Sequence, residues 1–153
     1  SFFFFFKDRA PPGLPPLPPP RLFPSPGLPA PAGAPARIRG RLVHPEGQPP
    51  ILETADGRRF RLEADPESLA VLHDERVRPE LFEAAGQPVP PDAFRLDPIY
   101  RKAMFVVRDG KPLVITYWCE VCAIRTYSPG RCQCCQDETA FDPRDPALED
   151  QAR

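Results

Sequence analysis

All five cysteines of the chain fall within YWCEVCAIRTYSPGRCQCCQ, residues 117–136. Cys119 and Cys122 form one CxxC, Cys132 and Cys135 form a second, and residues 123–131 separate them. Thiolates are soft donors, and four of them satisfy the tetrahedral preference of Zn2+ at ~2.3 Å. A CxxC turn presents two sulfurs to one ion while its backbone amides point at them. Two such turns, joined by a reversal at Ser128-Pro129-Gly130, close a four-thiolate shell. The expected metal ligands are therefore Cys119, Cys122, Cys132 and Cys135, with Cys134 surplus and able to stand in as a substitute. One structural zinc is the expected cofactor. Iron and Cu(I) also accept all-thiolate shells and rank behind it.

Other chemistry is open to the same residues. Trp118-Cys119-Glu120-Val121-Cys122 after an apolar strand resembles the WCxxC of thioredoxins, where a helix start lowers the first thiol's pKa. Here TYSPG, residues 126–130, ends any helix at once, and the residues after Cys122 are too few for the rest of that fold. Thiol redox chemistry on another scaffold stays open. So do disulfides in an exported protein, although five cysteines leave one unpaired.

Residues 113–139 as a whole resemble a zinc ribbon, with rubredoxin-like knuckles as the iron-binding relative. LVITYW leads into the first pair as a strand, and AIRTY leaves it as another. The chain departs from that family's pattern in three ways: neither turn has the CPxCG form, the spacer is short, and Cys134 is extra.

The elements that must carry this cluster are short strands. ARIRGRLVH and ILET read as strands separated by the PEGQPP turn, and Ala55-Asp56-Gly57 supplies a hairpin turn. In RRFRLEA, Phe60, Leu62 and Ala64 alternate with Arg59, Arg61 and Glu63, the pattern of a half-buried strand. Asp65 is placed to cap a helix, Pro66 suits its first turn, and Leu69, Val71 and Leu72 give that helix an apolar side. ELFEAAGQ, DAFRLDP and KAMFVVR are further strands. Asp109-Gly110 is a hairpin signal before KPLVITYW, whose Pro112 belongs on a sheet edge. With about 75 residues, these pieces close most economically as a small barrel, and a helix between early and late strands resembles the order of an OB-fold.

The fold expected is mainly β. Residues 1–35 form a Pro-rich disordered arm, 36–110 a small OB-like β-barrel with one short helix, 111–143 a zinc-ribbon-like hairpin, and 144–153 a tail. The chain has 153 residues and 25 prolines, twelve of them in the first 35 positions, so the proline excess belongs to the arm. Within it, Pro16 to Arg21 fits a PxxPxR peptide ligand, a match that proline abundance alone explains. SFFFFF is too short for a membrane span of about 20 residues and reads as a sticky end or the trace of an export signal.

Twenty Lys and Arg against 21 Asp and Glu give a net charge of −1, without the footprint of a dedicated nucleic-acid binder. Arg58, Arg59 and Arg61, with Arg37, Arg39 and Arg41, are the densest basic groups. Phe60, Phe82, Phe94 and Phe105 read as core, with base stacking on an OB-like face as the alternative. His44 and His73 read as surface or capping residues. No catalytic triad, phosphate loop or paired-carboxylate spacing is present.

The chain also resembles small uncharacterised bacterial exported proteins in which a short β domain precedes a cysteine-rich end. That resemblance implies work in the cell envelope, with a cytoplasmic site as the alternative. The expected function is a metal-stabilised binding or structural module with an unidentified protein partner. The alternatives are thiol-redox or metal-handling chemistry, and single-stranded nucleic-acid binding.

Overall fold

Alternating apolar residues between Ala36 and Leu96 build a closed five-stranded barrel in the computed structural model, which describes residues 35–150, Asp150 by its backbone alone. The Pro-rich arm, the SFFFFF run and the PxxPxR match lie outside the described residues. Strands β1 (Ala36–Val43), β2 (Ile51–Thr54) and β3 (Arg59–Glu63) form an antiparallel meander. Helix α1 (Pro66–Leu72) follows, then β4 (Leu81–Val89) and β5 (Ala93–Leu96). β5 pairs parallel with β3 and antiparallel with β4, and β4 returns to β1. The circuit β1-β2-β3-β5-β4-β1, with its helix between β3 and β4, is OB-like.

The local devices are those the residues call for. Gly57 at φ +82 turns β2 into β3, and the Asp65 carboxylate accepts the Ser68 amide at 2.9 Å to cap α1, with Pro66 in its first turn. Gly40 and Gly86 mark close strand approaches: a Cβ there would lie 2.2 Å from the Glu53 carbonyl oxygen and 2.1 Å from that of Arg95. Leu52, Leu62, Phe82, Phe94 and Val106 are wholly buried with Val71 and Leu72 of α1. Each such side chain contributes about 1.5–3 kcal/mol by leaving water. Arg59 and Arg61 point outward while Phe60 and Leu62 pack inward, as their alternation requires.

Beyond the barrel, β6 (Met104–Arg108) pairs with β4, and β7 (Lys111–Val114) pairs with β6 through an Asp109-Gly110 turn whose residues both have positive φ. Pro112 sits on β7, the outermost strand of that sheet. KPLVITYW does not run on as one strand. It leaves the first sheet after Val114 and resumes as β8 (Tyr117–Cys119), the centre of a second sheet with β9 (Ile124–Thr126) and β10 (Ala140–Phe141). At the break Val114 exchanges backbone hydrogen bonds with Arg144, and Thr116 accepts the Asp142 amide at its carbonyl while its hydroxyl donates to the Asp142 carbonyl. Helix α2 (Pro146–Asp150) closes the described chain and buries Glu149.

Candidate metal centre

Each CxxC occupies a tight turn at the mouth of a short antiparallel pair. Cys119 ends β8 opposite Ile124, so Glu120 to Ala123 form the turn of the β8–β9 hairpin. Cys132 to Cys135 form the corresponding turn inside an Arg131–Glu138 bridge, closed by Cys132 N–H donating to the Asp137 carbonyl at 2.8 Å. Ala123 and Gln136, the residue after each pair, have φ of +53 and +65. This is the position that glycine fills in the CPxCG form. Holding two non-glycine residues there costs of order 1–2 kcal/mol each, so local backbone preference works against both turns.

The two turns bring Cys119, Cys122, Cys132 and Cys135 together, with all four sulfurs within 4.8 Å of one another. The Cys119 and Cys135 sulfurs are 3.5 Å apart. A tetrahedron with 2.3 Å bonds has edges of ~3.8 Å, so the cluster is near the dimension of a four-thiolate shell. All five cysteines are free, and 3.5 Å is far beyond a disulfide bond of ~2.05 Å. The first cysteine of each pair is buried and the second half-buried. This cluster can hold a metal ion.

Cys134 is exposed and outside the tetrad. Its backbone amide donates to the Cys132 sulfur at 3.5 Å, and its thiol neighbours that of Cys122. Amides of Cys135 and Cys134 hold the Cys132 thiol down at about 7, so its thiolate is far more populated at neutral pH than that of an ordinary cysteine. The thiols of Cys134 and Cys135, with burial, push Cys122 up. Shared protons of this kind are what a thiol cluster releases when a cation binds it.

The barrel fixes the roots of both turns. Tyr117, wholly buried, donates its hydroxyl to Asp74 Oδ2 at 2.8 Å, in the loop after α1. Burial, then the bond to Asp74, raises the Tyr117 pKa. Asp74 also accepts from Arg76, which donates to the Thr139 carbonyl at 2.9 Å and lies over the Tyr117 ring. Thr139 in turn donates its hydroxyl to the Gly130 carbonyl at 2.8 Å. On the other side, Arg125 donates to Thr116 and Asp142 and stacks on Trp118. Sequence reasoning passed over Asp74, Arg76, Arg125 and Thr139. Nothing in their local sequence signals a partner 43 or 63 residues away.

The remaining candidates have plain structural roles. His44 and His73, isolated in sequence, meet with ring centroids 5.4 Å apart, and His44 Nε2 donates to the Leu72 carbonyl at 2.7 Å at the end of α1. Neither belongs to the cysteine cluster. Phe82, Phe94 and Phe105 are buried, and Phe60 packs edge-on to Phe94. Arg58, Arg59 and Arg61 face Asp56, Glu53 and Asp92, while Arg37 and Arg39 both grip Glu83. Each of these five arginines has a carboxylate neighbour, Glu83 being shared by two of them. Among the described residues no helix is long and apolar enough to cross a membrane.

Comparison with family models, curated proteins and solved structures finds no match, so no family supports the zinc-ribbon or exported-protein resemblance.

Proposed function

We propose that the protein is a non-enzymatic binding or structural module stapled by one zinc ion on Cys119, Cys122, Cys132 and Cys135, with the OB-like barrel as its contact surface for a protein partner. The observation that carries this reading is the convergence of four thiols from two turns to within 4.8 Å. Four cysteines fill all four positions of a tetrahedral ion and leave none for substrate or water, the mark of a structural site. Zinc fits better than iron or copper because such closed four-cysteine shells are its commonest structural use.

The test is elemental mass spectrometry on protein purified without chelator, with a free-thiol titration on the same sample. One zinc per chain and about one reactive thiol, Cys134, are expected. Absence of metal together with disulfides would discard the reading. Chelation should then loosen residues 119–138 to hydrogen exchange while the barrel amides stay protected. The exposed fifth thiol favours one alternative, that the cluster hands metal on or exchanges thiols. Under that alternative a competing chelator of modest affinity removes the ion within minutes and the fold survives.

A further inference from the structure

The barrel carries a second feature, independent of the cysteines. Where β1 passes between the end of β2 and the start of β4, its outer face opens into a cleft of about 460 Å3, within the ~300–1,000 Å3 range of small-molecule sites. Register places its walls. Gly40 pairs with Thr54 and Phe82, and Arg41 pairs with Glu53 and Leu81. Gly40 and Leu42 are buried on the inner side, so Arg39, Arg41 and Val43 line the outer side. Val43, Ala55 and Leu81 make the lining mostly apolar, and Leu81 is 39% exposed, a large side chain left without full cover.

The charges at the cleft are unequal. Arg39 gives Nε and Nη2 to Glu83, and its Nη1 has no partner among the described residues. Glu53 faces Arg59 at 3.7 Å. Arg41 has no carboxylate within ion-pair distance among the described residues, unlike its β1 neighbours Arg37 and Arg39. The cleft is thus an apolar trough edged by two guanidinium groups, Arg39 and Arg41, against one carboxylate, Glu53, which Arg59 also holds, so positive charge is in excess there. A guanidinium recognises a carboxylate with two parallel hydrogen bonds. Among the described residues no aromatic ring lines the cleft, so a nucleobase would find none of them to stack on. We infer that this cleft binds a small amphiphilic carboxylate, its acid on Arg41 and its apolar body along Val43, Ala55 and Leu81.

The experiment uses the full chain with its metal as purified. Amide chemical shifts are followed during titration with decanoate, decanol and acetate, each kept below its aggregation limit. Decanoate should give saturable shifts at residues 39–43, 53–55 and 81. Decanol should bind about tenfold more weakly, the scale of one lost charge-assisted contact, and acetate should not saturate. Arg41→Gln should lower decanoate to the decanol level, and Leu81→Glu should abolish binding. Both positions are exposed, and a dispersed amide spectrum checks that each variant folds. Equal affinity for decanol and decanoate overturns the inference. So do an unchanged Arg41→Gln variant, shifts centred elsewhere, or no saturable binding. Shifts at these residues that depend on protein concentration alone would also overturn it, by placing a second copy on the cleft.

Discussion

Asp74 and Tyr117 should behave as one unit, and a double-mutant cycle measures it. Tyr117 is wholly buried and its hydroxyl has one partner, Asp74, at 2.8 Å. Asp74 has others, since Arg76 donates its backbone amide at 3.0 Å and its guanidinium at 2.9–3.1 Å. Tyr117→Phe therefore removes one hydrogen bond to a charged acceptor that keeps its other donors, a loss of about 1.5 kcal/mol. Asp74→Ala does more. It strands a buried hydroxyl, about 2 kcal/mol, and releases Arg76, whose 41% side-chain exposure limits that part to about 1 kcal/mol. The sum is about 3 kcal/mol. In the double variant no hydroxyl remains to be stranded, so the cost returns to about 2.5 kcal/mol, the lost hydrogen bond and the released Arg76 together. The double variant should thus be more stable than Asp74→Ala alone. Urea unfolding of metal-loaded protein at pH 7 reads this directly. Simple addition to about 4.5 kcal/mol would refute the coupling. A cost for Asp74→Ala below about 0.5 kcal/mol would refute the clasp itself.

Cys134→Ser should keep one metal per chain, because its amide and not its thiol serves Cys132, whereas Cys132→Ser should lose the metal; elemental analysis of both decides. Glu83 accepts from Arg37 and Arg39, and although burial pushes its carboxyl up, those bonds bring it below the ordinary 4.5. Its stabilisation is full above that value and fades as pH falls through the lower folded value. Glu83→Gln should therefore be less stable than wild type at pH 7 by about 1–2 kcal/mol, with the gap in urea midpoints closing as pH falls through the depressed folded value. Glu149 is buried among Lys102, Arg125 and Arg144 and accepts from Tyr127 at 2.6 Å. Glu149→Ala should cost about 2–3 kcal/mol, since it leaves part-buried cations facing one another, and should lower the melting temperature by about 10 °C. An unchanged melting temperature would show that α2 does not anchor the chain end.

Much of the barrel is legible because its signals are local. Asp65 caps α1, Asp109-Gly110 reverses β6 into β7, and Phe60 and Leu62 alternate with arginines on β3. β4 is less legible. Phe82 to Gly86 are all buried, so alternation vanishes there. Its inner face meets the barrel core, while Ala85 on the outer face packs with Ala103, Phe105 and Val114. The cysteine spacing named the tetrad, because CxxC turns constrain their sulfurs locally. What lay beyond reach was long-range. KPLVITYW is a mostly apolar run, and it divides where Val114 pairs with Arg144 and Thr116 bonds to Asp142. β10 has two residues and exists because β8 offers it an edge. Glu149 reads as an ordinary surface charge until three cations from other elements surround it.

These long-range contacts bear on what a metal would do here. An isolated four-cysteine hairpin has almost no core and depends on its ion to fold at all. In this chain the barrel already grips both roots: β8 through Tyr117 and Asp74, and the strand after the second turn through Arg76 and the Thr139 carbonyl. Arg125 adds a third hold through Thr116 and Asp142. The tips, Glu120 to Ala123 and Gln133 to Gln136, have no such grip. There, two left-handed non-glycine residues work against the turn. An ion on the four thiols would therefore supply order where the barrel supplies none. With an ion bound, the metal and the barrel would divide one small element between them, tips to the former and roots to the latter.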